Sequence, residues 1–253
     1  MQIDIATPTL VALLLVSARL FAWMLVAPPM ATGGVPPTVK TMLSVAMALP
    51  LVPAARLHAP AAEVIPLAGS LLEQLLIGAA LGFLTRLLFT AIEMAGGLLD
   101  LFGGFALSAA YDPLTTTMTS VLGRFYALLC TTLIFATNAH LLIFQGFMRT
   151  FSAVPLDATM SISQLDATIT KAVPEMFVSA LQIAGPLLVV LFIADLALGV
   201  LSRIAPQLNA FALSFPIKIG LTLLLVGLGL TLMPNTIVDL ANRANQLVGV
   251  VVH

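Results

Sequence analysis

Charge is scarce in this sequence. Ten Lys and Arg and eleven Asp and Glu make up only 8% of its 253 residues, against about 25% in ordinary soluble domains. A water-soluble fold with so few charges would present large apolar patches and aggregate, so lipid is the fitting solvent. The signs nearly cancel, to a net charge of -1. Basic residues form no block, so no nucleic-acid partner is expected. Cysteine is scarcer still. The lone Cys130 excludes an internal disulfide framework and a multi-cysteine metal centre, and in its apolar run it reads as a small core residue. The histidines, His58, His140 and His253, lie far apart and in no metal-ligand spacing. His140, in "TNAHLLIF", reads as a structural group near a helix end rather than a site residue. No serine sits in G-x-S-x-G and no G-x-x-x-x-G-K-[ST] loop is present. The expectation is therefore no enzyme, no catalytic residue, no metal and no cofactor.

What is abundant is apolar surface: 60% of the residues are hydrophobic and the mean hydropathy is +1.12. Apolar segments fall at about 8–27, 39–55, 64–98, 121–147, 173–200 and 210–233. A span needs roughly 20 residues at 1.5 Å rise. The pattern predicts an all-α polytopic membrane protein of about six long, irregular helices in a single membrane domain, 1–253. The segment at 39–55 is short and carries Pro50 and Pro53, whereas 64–98 is too long for a simple span. Such unevenness suits helices packed in a larger assembly. "APPMATGGVPPT" (27–38) predicts a firm helix break. The stretch 151–175 is the most polar and is expected outside the apolar slab, with a short helix after Ser161 and Ser163. The N-terminus carries Asp4 in place of a basic signal-peptide region, and its apolar run reads as a retained first helix. With the N-terminus inside, the inner connections would hold Arg56, Arg149, Lys171 and Arg243, and the outer ones Lys40 and Arg203. That excess follows the positive-inside rule.

Arg19, Glu73, Arg86, Glu93, Arg124, Asp195 and Lys218 fall inside apolar segments. All of them facing hydrocarbon would cost on the order of 20 kcal/mol, so most must meet protein, water or headgroups. Arg86, Glu93 and Asp100 recur every seven residues. Seven residues turn a helix by about 700°, which superposes the three on one face. The stripe is either a packing seam between helices or the lining of an aqueous path. Gly78 and Gly82 form a G-x-x-x-G pair that admits a close helix neighbour. Gly96, Gly97, Gly103 and Gly104 flank Asp100, and paired glycines loosen a helix, so the long segment should end near Gly103. Beyond it, "GGFALSAAYDPLTTTMTS" (103–120) holds one acid, Asp112, and no base. Read from its residues alone, this is an ordinary exposed hairpin between helices.

Longer strings narrow the reading. "SARLFAWMLVAPPM" with "PPTVKTMLSVAMAL", "AGGLLDLFGGFALSAAYDP", "TNAHLLIFQGFMRTFSAVPL" and "APQLNAFALSFPIKIGLTLLL" together resemble the FliR family of flagellar export proteins, nearly end to end. The sequence departs from the family at Ala139, where Gly is usual, and at Ala110 and Tyr111, where many relatives carry phenylalanines. The resemblance implies a non-enzymatic subunit of the type III export gate, assembled with FliP and FliQ, with FlhB associating afterwards. Unfolded flagellar subunits would pass through its centre. It implies the bacterial inner (plasma) membrane, at the flagellar basal body, with much of the assembly lifted toward the periplasm. The T component of injectisomes is the alternative, and a proton-coupled transporter using Glu73, Asp195 or Lys218 is a more distant one. The resemblance also implies that the loop before the fourth apolar segment helps to plug the channel. Gly103 and Gly104 would permit unusual backbone angles. Phe105, Leu107, Tyr111 and Met118 would seal by apolar contact around Asp112 and Pro113. The seam residues Arg86, Glu93 and Asp100 would make contacts within the core or to FliP or FliQ.

Overall fold

Proline sets the first boundaries. Helix α1 (Thr7–Val26) stops before a cis Pro28–Pro29 bond, and α2 (Pro37–Ala48) begins on Pro37, as the break at 27–38 predicts. Proline suits a first helical turn because the N–H it lacks has no intrahelical partner there. The computed structural model describes residues 7–31, 34–105, 120–158, 162–205, 207 and 210–252. Among these the regular structure is helical throughout.

After α2, α3 (Val52–Ala55) runs into a 3-10 turn at Arg56–His58, and this Val52–His58 piece is bent by 67° from α2. Helix α4 (Val64–Gly103) is one unbroken helix of 40 residues, ending where the glycines predict. The segment expected at 121–147 is instead two helices, α5 (Val121–Ala136) and α6 (Ala139–Ala153). Between them Asn138 takes a left-handed φ of 58°, a conformation that asparagine tolerates better than most residues.

The polar stretch 151–175 also departs from expectation. Helix α7 (Ile162–Ile204) starts inside it and runs 43 residues, through Pro174 and Pro186. Packing and local adjustment offset the lost amides of such prolines in membrane helices. Helix α8 (Ala210–Gly229) follows the predicted segment. Helix α9 (Met233–Val252) has no counterpart in the sequence reading. It buries Ile237, Leu240, Ala241, Ala244 and Val248, a one-sided helical pattern that a search for continuous apolar runs passes over. Arg149, Lys171 and Arg243 lie inside α6, α7 and α9 rather than in irregular connections.

Among the described residues, four helices are long and apolar enough to cross a membrane, or up to six if each of two broken pairs forms one span. With its family resemblance, this makes the chain an all-α polytopic membrane protein. Along α7 and α8 large apolar side chains such as Phe177, Phe192, Ile193, Leu196, Leu224 and Leu228 are exposed. Apolar area of that kind needs lipid or protein against it.

The chain divides into two units. The first comprises Met1–Leu88, Asn138–Val173 and Leu240–His253; the second comprises Phe89–Thr137 and Pro174–Asp239. The first unit is organised by Arg19, which is 0% exposed. Its Nε donates to Gln74 Oε1 at 2.5 Å, its Nη1 donates to the Val154 carbonyl at 2.9 Å, and its guanidinium lies 4.6 Å from the Phe151 ring centroid. Trp23, one turn on, stacks on Phe147 at 4.5 Å. The G-x-x-x-G pair serves this packing. A Cβ on Gly78 would strike the Arg19 carbonyl, and one on Gly82 would sit 3.0 Å from that of Trp23, so α1 and α4 meet backbone to backbone.

Candidate functional site

The second unit holds both ends of the segment 103–120. The last turn of α4 delivers Asp100, 4% exposed, to the first turn of α5. Its carboxylate accepts the Ser120 hydroxyl, and the Leu122 N–H lies 3.1 Å from each carboxylate oxygen. The Ser120 oxygen accepts the Gly123 N–H at 2.8 Å and caps α5. A helix start leaves its first amides without intrahelical acceptors. Here Ser120 and Asp100 answer two of them, and a carboxylate is the group that the positive end of a helix favours.

Glycine permits this approach. A Cβ on Gly96 would lie 2.6 Å from the Leu122 carbonyl oxygen and 2.8 Å from Gly123 Cα. The missing side chain of Gly123 leaves room for the Glu93 carbonyl, 3.2 Å from where a Cβ would stand. The outgoing strand of chain is held as closely. A Cβ on Gly103 would meet Thr222 Oγ1 at 2.6 Å. Gly104, at φ 85°, faces Phe215 and the Lys218 Cβ. That left-handed angle stops the helix, and glycine adopts it without steric cost. Phe105 follows, half-buried.

The ionisable residues of the apolar segments separate into distinct environments. Lys218 Nζ pairs with Asp195 Oδ1 at 2.6 Å, joining α8 to α7. These were the separate coupling groups of a transporter reading; here they neutralise one another, which lowers the cost of a charge among apolar helices. Of the seven-residue stripe, Asp100 is buried, whereas Arg86 and Glu93 are exposed on this chain, as is Arg124. Cys130 is buried, as its apolar run predicts. Leu107, Tyr111, Asp112, Pro113 and Met118 lie outside the described residues.

Sequence reasoning passed over Ser120, Gln74, Phe215 and Thr222. A serine directly before an apolar helical run is an N-cap signal and could have flagged Ser120. Nothing local marks Gln74, Phe215 or Thr222, whose partners are remote in sequence.

The sequence pattern of the bacterial export proteins, family 1, matches residues 10–244. The chain is 34% identical to the flagellar biosynthetic protein FliR of Pectobacterium carotovorum over 164 residues, 65% of this chain and 63% of that protein. It is 29% identical to FliR of Bacillus subtilis, over 61% of each chain. It is also 29% identical to the surface presentation of antigens protein SpaR of Shigella flexneri, over 61% of this chain and 59% of that one. The aligned stretches thus span less than two thirds of the length of each of these relatives. The family pattern, by contrast, reaches into both units and includes Asp100, Ser120, Leu122 and Gly123. The chain belongs to the bacterial export proteins, family 1.

Proposed function

We propose that this chain is a non-enzymatic structural and gating subunit of the flagellar type III protein export gate. It acts as one membrane domain, 1–253, in the bacterial inner membrane at the flagellar basal body, with part of the assembly toward the periplasm. FliP and FliQ are its subunit partners, FlhB associates with the complex, and unfolded flagellar proteins are the cargo. The observation that carries the reading is the family match over 10–244. The exposed apolar faces of α7 and α8 suit a subunit covered by lipid and protein neighbours.

The segment 103–120 helps to plug the channel, with Gly103, Gly104 and Phe105 at its root and Leu107, Tyr111, Asp112, Pro113 and Met118 beyond. Deleting part of 106–119 is expected to make the co-purified complex leaky to ions in liposomes while assembly survives; unchanged permeability would remove the plug assignment. Arg86 and Glu93 meet neighbouring subunits, while Asp100 acts within the chain. Glu93→Lys is expected to lower recovery of the complex with FliP and FliQ several-fold and to reduce motility. Full recovery and normal swarming would count against those contacts.

The similarity to SpaR equals that to the Bacillus FliR in identity, which favours a second reading as an injectisome T component. Complementation separates the two. A flagellar subunit restores swimming to a strain lacking its own FliR, and an injectisome subunit restores effector secretion instead.

A further inference from the structure

We propose that the first unit binds one anionic phospholipid, with part of an acyl chain in a cavity beside the bend after α2 and the phosphate against Arg56, His58 and Arg149. The site rests on that unit alone and goes beyond the export role. Helix α2 and the Val52–His58 piece meet at 67°. Beside this bend lies a cavity of about 160 Å³, with Leu51, Ala54 and His58 on one side and Phe151, Ser152 and Leu156 on the other. An apolar cavity of about 150 Å³ takes up benzene, so this one has room for roughly six carbons of an acyl chain. The second wall is held from behind by the core. Arg19 Nη1 donates to the Val154 carbonyl at 2.9 Å, Gln74 Nε2 donates to the Leu156 carbonyl at 3.4 Å, and the Arg19 guanidinium lies 4.6 Å from the Phe151 ring centroid. A wall fixed in this way costs little further ordering when a ligand binds.

Polarity is segregated around this cavity. Its lining side chains are apolar apart from His58 and Ser152. Arg56 shares the 3-10 turn of His58, and Arg149 stands three residues before Ser152 on the same face of α6. Both arginines are exposed. Asp157, next to Leu156, is the acid that adjoins the lining in sequence, and it leaves bases in excess. A guanidinium fork matches the oxygens of a phosphate, and bases at a membrane surface attract anionic headgroups. Lipid also has a way in. Met42, Val45 and Leu49 form one exposed apolar stripe along α2, which ends beside Leu51. A phospholipid answers all three features at once: the stripe, the apolar cavity and the basic rim.

The test uses the full chain with the subunits that co-purify with it, reconstituted in phosphatidylcholine liposomes. These carry a small fraction of phosphatidylglycerol with a photoactivatable group on its acyl chain, or of phosphatidylethanolamine with the same chain. After illumination, labelled peptides are mapped by mass spectrometry. Phosphatidylglycerol should label the segments 51–58 and 148–156 several-fold more than phosphatidylethanolamine does. Ala54→Phe or Ser152→Phe fills the cavity and should remove most of that label, while label on the exposed apolar face of α7 stays unchanged. Arg56→Gln and Arg149→Gln should each lower the phosphatidylglycerol label about fivefold. Together they should bring it down to the phosphatidylethanolamine level. Arg203→Gln, which removes an exposed base from the second unit, should have no effect.

Equal labelling of the two segments by the two lipids overturns the headgroup assignment and with it the inference. Label that survives both filling substitutions overturns the cavity as its source. Label that appears at these segments only once the co-purified subunits are stripped away means that protein covers the cavity, which also overturns the lipid reading. So does a second copy of this chain seated there, seen as a cross-link between copies at 51–58 that the filling substitutions abolish. If neither filled variant is recovered from the membrane, the arginine substitutions decide: an undiminished preference for phosphatidylglycerol overturns the inference, and its loss supports it. None of these outcomes depends on the export reading, which is judged by complementation.

Discussion

Replacing Arg19 with alanine is expected to lower the unfolding temperature of the purified chain by roughly 10 °C or to prevent its recovery altogether. The guanidinium is wholly buried and holds together three pieces of chain distant in sequence: α1, Gln74 of α4, and the Phe151–Val154 end of α6. Hydrogen bonds to charged groups contribute about 1.5–3 kcal/mol each, and stranding a buried acceptor costs about 1–3 kcal/mol. Alanine would strand both Gln74 Oε1 and the Val154 carbonyl and would empty a large side-chain volume. A net loss of about 4 kcal/mol or more follows, in the range reserved for broken buried networks. At about 2–4 °C per kcal/mol for a chain of this size, the shift is on the order of 10 °C.

The measurement is convenient. The sequence holds one tryptophan, and Trp23 stacks on Phe147 in the same cluster, so its fluorescence reports this unit. Arg19→Lys should recover little, because a single ammonium cannot reproduce the fork that serves two acceptors at once. A double-mutant cycle with Gln74→Ala should show coupling of about 2 kcal/mol. A Tm within two or three degrees of the parent would show that Arg19 is a passenger in this core.

Gly96→Ala and Gly97→Ala should have opposite effects. Both gain the roughly 1 kcal/mol by which alanine exceeds glycine as a helix former. At Gly96 the new methyl would stand 2.6 Å from the Leu122 carbonyl oxygen and 2.8 Å from two backbone carbons. Backbone cannot swing aside as a side-chain tip can. The first turn of α5 must retreat, and that movement stretches the bonds from Ser120 and Leu122 to Asp100. Overpacking costs about 1–3 kcal/mol, and the weakened hydrogen bonds add to it. At Gly97 the new methyl would meet only Ser120 Oγ, at 3.8 Å, an ordinary contact. Gly97→Ala should therefore be neutral or slightly stabilising. Gly96→Ala should lose about 2 kcal/mol and, under the plug reading, leak. Equal thermal stability of the two variants would mean that α4 and α5 do not approach as closely as described here.

Much of the architecture was legible from local signals. Proline marked the break after α1 and the start of α2 because it has no amide and a fixed φ. The paired glycines marked the end of α4, where Gly104 takes the left-handed angle. Long apolar runs located α1, α4 and α8 because hydropathy integrates over the length of a span. The same method merged α5 with α6, where a single asparagine turns the chain, and it passed over α9, whose apolar residues occupy one face of an otherwise polar helix. It also cut α7 short, since prolines and polar residues argue locally against a helix that packing can sustain.

The sequence by itself determined that this chain is helical, belongs in a membrane and must keep most of its charges away from hydrocarbon, because the cost of charge there does not depend on the details of the fold. The partner of each charge was decided only in three dimensions. Heptad spacing grouped Asp100 with Arg86 and Glu93 on one helix face, yet Asp100 turned to the start of α5, while its companions stayed exposed. Arg19 looked like one more costly cation until Gln74, Phe151 and Val154 closed around it. Periodicity specifies the direction in which a side chain leaves its helix; what it meets depends on which distant backbone comes within about 3 Å of it.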